Sequence, residues 1–187
     1  NLEFLEKQGA EILRFSPVHD KHLPEDLDGL LLGGGYPELY GKALEENKTM
    51  RNEIRRKAEE DMPVLAECGG YLYLLKELED ENGTGYEMAG VFSGKGFKKG
   101  KNSHFGYITV ETEIKGHEFH YWESTQDENE LKMQAQKPTG KRGWPCMTIK
   151  NQVMAGFPHL YYPSMEGFGE RFIQACDTYR KKRKRQQ

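Results

Sequence analysis

The chain has few cysteines, no long apolar segment and no marked excess of either charge. Its 3 cysteines, Cys68, Cys146 and Cys176, are odd in number and far apart, which predicts a reduced, cytoplasmic protein rather than a disulfide-stabilised one. No apolar run approaches the roughly 20 residues of a membrane span and no signal-peptide pattern opens the chain, so we expect no membrane partner. A formal net charge of -3 argues against a nucleic-acid partner.

The chain does contain enough apolar material for one core. Hydrophobic residues make up 36% and charged residues 30%, and the 21 glycines and 8 prolines are scattered, which excludes collagen-like, coiled-coil and disordered classes. A length of 187 residues predicts one domain, assigned here to residues 1–180. The remaining segment, 181–187, begins with a run of basic residues and is expected to be a solvated helix end.

The pattern of apolar runs predicts an α/β domain, with mainly antiparallel strands in its second half. Short apolar runs that end in glycine are typical of strands buried on both faces of a parallel sheet, and charged Ala- and Leu-rich segments are typical of helices. The predicted strands are 10–15, 28–32, 63–66, 87–92, 105–113, 118–122, 131–136, 147–150 and 153–157, and the predicted helices are 37–61, 71–78, 166–179 and a first helix that ends at Gly9.

Cys68 is predicted to lie where a buried strand turns into a helix, and Gly69 and Gly70 follow it. This corner resembles a nucleophile elbow, in which a tight turn exposes the reactive side chain above the edge of a sheet. The amides at the start of the following helix are expected to favour thiolate over thiol. A buried structural role is the more common fate of a lone cysteine, but a residue that only fills core space has no need of this corner.

A cysteine nucleophile needs a base and an oxyanion site, and both have candidates near other strand ends. His159 follows a predicted strand, and the carboxyl ends of parallel strands meet at one edge of a sheet. The glycine run 33–35 follows another strand, so the amides of Gly34 and Gly35, with that of Gly69, could stabilise an oxyanion. The GxxxxGK[ST] pattern of a phosphate-binding loop does not occur, so we expect no ATP site in this chain.

Residues 116–123, GHEFHYWE, contain many polar and aromatic side chains, and their two histidines are candidate metal ligands. The spacing of His117 and His120 is one residue short of that in HExxH, and on a strand the two side chains would point to opposite faces. We therefore expect no metal. A functional surface loop and a half-buried strand with aromatic packing are both compatible with this segment.

Five stretches of the chain resemble one family. They are FSPVHDKHLP at 15–24, LLLGGGYPEL at 30–39, PVLAECGGYLYL at 63–74, GHEFHYWE at 116–123 and GFPHLYY at 156–162. Together they resemble the glutaminase domain of cobyrinic acid a,c-diamide synthases, the cobBQ type of class I glutamine amidotransferase. The resemblance implies a flavodoxin-like α/β fold, with a mainly parallel sheet flanked by helices and an antiparallel extension. It also implies hydrolysis of glutamine.

The resemblance implies roles for individual residues. Cys68 would attack the side-chain amide of glutamine, His159 would act as general base, and the amides of Gly35 and Gly69 would hold the oxyanion. The ammonia would pass to an ATP- and Mg-dependent synthetase domain, which amidates the a and c carboxylates of a corrin precursor in cobalamin biosynthesis. ATP and Mg are expected in that partner domain, and no cofactor is expected in this chain.

Two features depart from the family's pattern. Related glutaminases often have Glu two residues after the base histidine, and here Tyr161 stands there. The synthetase domain and the first strand of the sheet would both precede Asn1, so we expect a truncated chain, whose incomplete sheet could promote homo-oligomers. Other functions stay open: a glutaminase serving a nickel tetrapyrrole or a cell-wall precursor, a non-catalytic interaction module of the same fold, and a cysteine hydrolase of a peptide or small amide.

Overall fold

Strands and short helices alternate in the first half of the chain, and strands dominate the second. Within residues 1–100, 104–126, 131–140 and 142–185, which the computed structural model describes, the helices are α1 (Leu2–Lys7), α2 (Gly41–Glu46), α3 (Lys48–Glu59), α4 (Gly69–Leu74) and α5 (Phe168–Arg185). The strands of these ranges are β1 (Leu30–Leu32), β2 (Val64–Glu67), β3 (Glu77–Glu79), β4 (Gly85–Glu87), β5 (Lys95–Lys98), β6 (Phe105–Val110), β7 (Ile114–Phe119), β8 (Trp122–Ser124), β9 (Leu131–Gln136), β10 (Gly143–Lys150), β11 (Val153–Gly156) and β12 (His159–Leu160). None of the described helices has both the length and the apolar composition needed to cross a membrane.

The described strands form a main sheet of eight, in the order β1-β2-β11-β10-β9-β6-β7-β12, and a smaller sheet in the order β4-β3-β5-β8. In the main sheet β1, β2 and β11 run parallel, and the other neighbours pair antiparallel. All four residues of β2 are buried, as expected for a strand covered on both faces. The predicted α/β class with an antiparallel extension is therefore confirmed.

The parallel strands bring three loops to one edge of the sheet. In the β1–β2 pair Leu32 lies opposite Ala66, and in the β11–β2 pair Gly156 lies opposite Glu67. The strands therefore end almost level with one another, and the chain leaves them into the glycine run 33–35, into Cys68 and towards β12. This shared edge positions the candidate site.

Side chains alternate between two environments along β7. Ile114, Gly116 and Glu118 are buried, whereas Lys115, His117 and Phe119 are exposed. The buried side faces an apolar cluster that includes Ile108, Met147 and Leu160. Alternate residues of this strand therefore point to opposite faces of the sheet.

The predicted strand 10–15 is wrong, because this segment has irregular backbone. The amide of Ala10 closes the turn after α1 by donating to the carbonyl of Leu5, at 3.1 Å. Leu13 is 47% exposed, while Phe15 packs against the core. The apolar residues of the segment cover the core in part without joining the sheet.

Two predicted helices have different boundaries in the structure. The predicted helix 71–78 ends at Leu74, and β3 follows it. The predicted helix 37–61 is divided, because α2 ends and α3 begins at Asn47. The side-chain amide of Asn47 donates to the carbonyls of Pro17 and Asp20, each at 2.7 Å, and so ties the break to an earlier loop.

The predicted strand 87–92 is wrong over most of its length, since only its first residue belongs to a strand. The amides of this segment bond to carbonyls at the end of α4: Ala89 donates to Tyr73 and Val91 to Leu74, each at 2.9 Å. The segment therefore satisfies the last carbonyls of a helix. Its apolar residues are buried because the segment packs against the end of α4. The sequence pattern alone does not distinguish such a buried segment from a strand.

Helix α5 includes the first residues of the basic segment. Lys182 Nζ lies 2.9 Å from a carboxylate oxygen of Asp61, and Arg183 forms ion pairs with Asp26 and Asp28. These contacts tie the end of the helix to two loops. The expected solvated end is thus partly engaged by acidic side chains, although exposed pairs of this kind contribute little to stability.

Gly70→Ala is expected to lower the free energy of unfolding by about 1–3 kcal/mol, the usual cost of forcing an extra carbon into a packed interior. A Cβ atom on Gly70 would lie 2.1 Å from the carbonyl oxygen of Leu32, and the backbone of a buried strand has no room to yield. Gly33→Ala is the control, because a Cβ atom there meets nothing within 4 Å. Urea titrations followed by circular dichroism compare the variants, and equal midpoints would contradict the expectation.

Candidate active site

Cys68 occupies the corner between β2 and α4, where the sequence places it. Its backbone angles are φ 50° and ψ -106°, a conformation that residues with a side chain rarely adopt. The corner is held on both sides: the amide of Cys68 donates to the carbonyl of Gly156 at 2.8 Å, and its own carbonyl accepts from Leu72 at 3.0 Å. Backbone strain of this kind costs of order 1–3 kcal/mol and is concentrated at functional sites.

The glycine run 33–35 packs directly against this corner. The amide of Gly70 donates to the carbonyl of Gly33 at 3.0 Å. A Cβ atom on Gly69 would lie 2.6 Å from the carbonyl oxygen of Gly35, so only glycine allows this approach of the two backbones. The two residues whose amides are expected to hold an oxyanion are therefore neighbours.

His159 reaches the same glycine run from the other side. Its β12 strand pairs with β7, opposite His117, and the two imidazole rings stack with centroids 4.9 Å apart. A Cβ atom on Gly34 would lie 2.6 Å from Cε1 of His159, so the ring rests against that glycine. Since Gly35 contacts Gly69, the structure brings all of the predicted site residues together around one loop.

Glu67, which the sequence did not single out, is the acidic neighbour of His159. Its carboxylate is buried and accepts hydrogen bonds at Oε1 from the Tyr162 hydroxyl at 3.0 Å and the Leu160 amide at 3.3 Å. Its Oε2 lies 3.9 Å from Nδ1 of His159, beyond hydrogen-bond length but within the distance of an ion pair when the ring is protonated. Tyr161, at the position of the family's Glu, is instead 56% exposed. A carboxylate at the end of a fully buried strand is the signal that could have revealed Glu67.

Burial sets the protonation states of the site. It raises the pKa of Glu67 to about 7. The hydrogen bonds from Tyr162 and Leu160 favour the charged form and lower this pKa, but burial outweighs them. It lowers the pKa of His159 below its ordinary value, and the neighbouring histidines lower it further. At neutral pH the imidazole is therefore uncharged and able to accept a proton.

The expected stabilisation of the Cys68 thiolate is wrong. Burial raises the pKa of the Cys68 thiol to about 11, and the charges of nearby carboxylates raise it further. The backbone amide of Gly69, at the start of helix α4, does lower the pKa of the thiol, but it does not offset the loss of water around the sulfur. At neutral pH the site thus holds a neutral thiol and a neutral imidazole.

A family model for CobB/CobQ-like glutamine amidotransferase domains matches residues 1–166. The chain belongs to this family. The resemblance carried by the sequence motifs is thereby confirmed.

Several curated relatives of this amidotransferase domain are named cobyrinate a,c-diamide synthase. The one from Caldanaerobacter subterraneus subsp. tengcongensis is 37% identical over 194 residues, which covers 97% of this chain and 43% of the relative. The one from Picrophilus torridus is 37% identical over 187 residues, covering 94% and 40%. The chain therefore spans less than half the length of these relatives.

Solved structures support the same fold. A crystal structure of a glutamine amidotransferase superposes with a TM-score of 0.64 and 18% identity, covering 94% of this chain and 91% of the other. The crystal structure of a GMP synthase component from Thermoplasma acidophilum gives a TM-score of 0.60 and 19% identity, covering 97% and 89%. At these identities the likeness establishes the fold, and it confirms the predicted flavodoxin-like architecture.

The amidotransferase site opens onto an exposed aromatic face of the sheet. Tyr107 lies opposite His117, which in turn lies opposite His159, so the three side chains share one face. Two residues farther along, Phe105 and Phe119 form an exposed pair with ring centroids 5.3 Å apart. We call Phe105, Tyr107 and Phe119 the aromatic surface. Exposed apolar groups of this size next to a site mark a surface for interaction.

His120 is separated from the face of β7 that contacts His159. As expected from their spacing, the two histidines of GHEFHYWE lie in different surroundings: His117 stacks on His159, whereas His120 is buried and stacks on Phe157 at 4.0 Å. The half-buried strand with aromatic packing is the alternative that describes this segment.

Alkylation of Cys68 by iodoacetamide is expected to be slow at pH 7 and to accelerate about tenfold for each pH unit up to pH ~10, because the thiolate is the nucleophile and its fraction rises in that proportion below the pKa. Mass spectrometry of peptides sampled between pH 7 and 10 measures the rate. Cys176, whose pKa burial raises to about 12, is the internal control and should react more slowly. A rate at Cys68 that levels off below about pH 8 would instead indicate a stabilised thiolate.

Proposed function

We propose that this amidotransferase domain hydrolyses glutamine through a thioester on Cys68 and supplies the ammonia to an ATP-dependent amidation. The observation that carries the proposal is the glycine run 33–35, which contacts the corner of Cys68 on one side and His159 on the other. A strained cysteine corner, a neutral imidazole and adjacent backbone amides are the groups that acyl transfer requires.

The first half of the reaction forms the thioester. Nδ1 of His159 lies toward Glu67, so we assign Nε2 as the atom that takes the thiol proton. The sulfur of Cys68 attacks the side-chain carbonyl carbon of glutamine, and the amides of Gly35 and Gly69 hold the oxyanion that forms. The imidazolium then protonates the amide nitrogen, the C–N bond breaks, and ammonia leaves.

The second half returns the site to its starting state. His159 takes a proton from water, which attacks the thioester carbon; the C–S bond breaks, glutamate leaves, and the proton returns to the sulfur of Cys68. Proton transfer through a positioned imidazole typically contributes about 10²–10⁴-fold to a rate.

We assign Glu67 as the residue that positions His159. A carboxylate behind the base histidine selects the ring tautomer and stabilises the imidazolium that forms during proton transfer. Glu67 is held by Tyr162 and Leu160, and its free Oε2 lies 3.9 Å from Nδ1. Glu67 would therefore orient His159 in place of the family's Glu, whose position is taken here by the exposed Tyr161.

The ammonia needs an acceptor, and we propose that a separate ATP- and Mg-dependent synthetase portion supplies it. Relatives named cobyrinate a,c-diamide synthase support this, since the chain covers only 43% and 40% of them. By their name the acceptor would be the a and c carboxylates of cobyrinic acid. The aromatic surface beside His159 is a suitable place for that portion to dock.

An α-chloroketone analogue of glutamine is expected to label Cys68 in preference to Cys146 and Cys176, because recognition of the glutamine moiety brings it to the site. His159→Ala should slow this labelling by about 100-fold or more through loss of the base. His19→Ala is the matched control, since His19 is exposed and lies outside the site. Peptide mass spectrometry gives the rates; equal labelling of the three cysteines would support a non-catalytic module and overturn the proposal.

Glu67→Gln is expected to lower kcat for glutamine hydrolysis about 10- to 100-fold with little change in KM, because a positioning residue acts on His159 and not on the substrate. In the wild type the rate should rise with pH through about 7, as Glu67 loses its proton. In the variant this rise should move below about pH 6.5, because only His159, whose pKa is lowered, then titrates.

Glutamate release between pH 5.5 and 8.5 measures both effects, with Glu67→Asp as the conservative variant that should recover part of the activity. A purely structural role for Glu67 would leave the midpoint of the pH profile unchanged, and that result would contradict the assignment. Circular dichroism establishes that each variant is folded.

A further inference from the structure

Three side chains that the reaction does not use converge behind the catalytic face. Phe105 lies opposite Phe119 in the antiparallel β6–β7 pair, and this register brings His104 beside His120. Glu118, on the buried face of β7, completes the group. One nitrogen from each histidine and one carboxylate oxygen all lie within 4.8 Å of one another.

His120 has a buried ring nitrogen that needs a partner. Its side chain is only 3% exposed, and Nδ1 lies 2.7 Å from the carbonyl of Trp122, so Nδ1 carries the proton and Nε2 presents its lone pair. Among the residues that the structure describes, this Nε2 has no hydrogen-bond partner. Buried polar atoms are nearly always satisfied, so the orphaned nitrogen points to a missing ligand.

The distances from Glu118 to the two histidines match a shared metal rather than hydrogen bonds. Oε2 of Glu118 lies 3.5 Å from Nε2 of His120 and 3.6 Å from Nδ1 of His104. Tetrahedral zinc, with bonds of about 2.0–2.1 Å, holds its ligand atoms about 3.3–3.4 Å apart.

Outer contacts orient each of the three groups. The indole nitrogen of Trp144 lies 3.3 and 3.2 Å from the two oxygens of Glu118, and the same indole stacks on His104 with centroids 4.2 Å apart. His120 is held by the carbonyl of Trp122. Metal-binding histidines typically donate their second N–H to a backbone carbonyl, and metal-binding carboxylates are themselves hydrogen-bonded.

We infer that His104, Glu118 and His120 bind one zinc-type divalent ion, with a water molecule as fourth ligand. Two imidazoles and one carboxylate form a ligand set that suits zinc. The side chain of His104 is 24% exposed, and this is the open side through which the ion and the water enter. No metal was expected from the sequence, because the sequence analysis considered His117 and His120 as the two histidine ligands. In the tertiary structure the partner of His120 is His104 instead.

The ion would hold the carboxyl end of β7 against the residue before β6. His120 stacks on Phe157, two residues before His159, so the ion would also restrain the segment that leads to the base. We assign it a structural role, since Glu118 lies on the face of β7 opposite to His117 and the three ligands take no part in the steps proposed at Cys68.

The test uses the whole chain after treatment with a chelator. Zinc added in competition with a chromophoric chelator should bind at one equivalent per chain, and Co²⁺ in its place should give the visible absorption of a tetrahedral site. His104→Ala, which removes a partly exposed ligand, should weaken zinc binding about 100-fold or more, whereas His19→Ala should not change it. Trp144→Phe, which leaves all ligands in place, should weaken it about tenfold.

Three results would overturn the inference. The first is zinc binding to His104→Ala that equals binding to the wild type, and the second is no binding to either protein. The third is loss of the bound equivalent in Cys68→Ser, which would place the ion at the thiol. Circular dichroism of His104→Ala without metal establishes that the variant is folded, so a weaker affinity reports the missing ligand.

Discussion

The site depends on the close approach of two backbones at the edge of the sheet. The loop after β1 and the corner after β2 are adjacent because the two strands run parallel and end almost level. Gly69 and Gly70 have no side chain to separate them, so their backbones contact those of Gly35 and Leu32. This contact holds Cys68 in its strained conformation and brings the backbone of Gly35 against that of Gly69. Without it, neither the proposed nucleophile nor the proposed oxyanion site would have its geometry.

Burial at the site has a second effect, which is to keep the groups of the proposed mechanism uncharged. The thiol of Cys68 and the imidazole of His159 both have pKa values moved toward the neutral form, and the pKa of Glu67 is raised as well. Desolvation therefore suits a mechanism in which a proton moves at the moment of attack rather than one with a preformed ion pair. The same burial makes an ionised Glu67 costly to the folded state. Function and stability thus oppose each other at this residue.

Strand β7 separates the two proposed sites because its side chains alternate between the faces of the sheet. His117 and Phe119 point to the exposed face that carries His159 and the aromatic surface, whereas Glu118 points to the buried face with His104. A dense motif such as GHEFHYWE can therefore belong to two sites at once. The exposed face is suited to a partner and to the reaction, and the buried face to holding the sheet together.

The sequence by itself determined the features that depend on neighbouring residues. It predicted β1, β2 and the glycine run, the corner at Cys68, and the family, because each is a local pattern of apolar residues, glycines and motif letters. The tertiary structure decided which distant residues meet. Glu67 faces His159 across 92 positions of the chain, His104 reaches His120 only through the β6–β7 register, and residues after Glu87 bond to the end of α4 instead of forming a strand. Hydrogen-bond pairing between remote segments and the loss of water on burial are properties of the folded chain, so no local pattern records them.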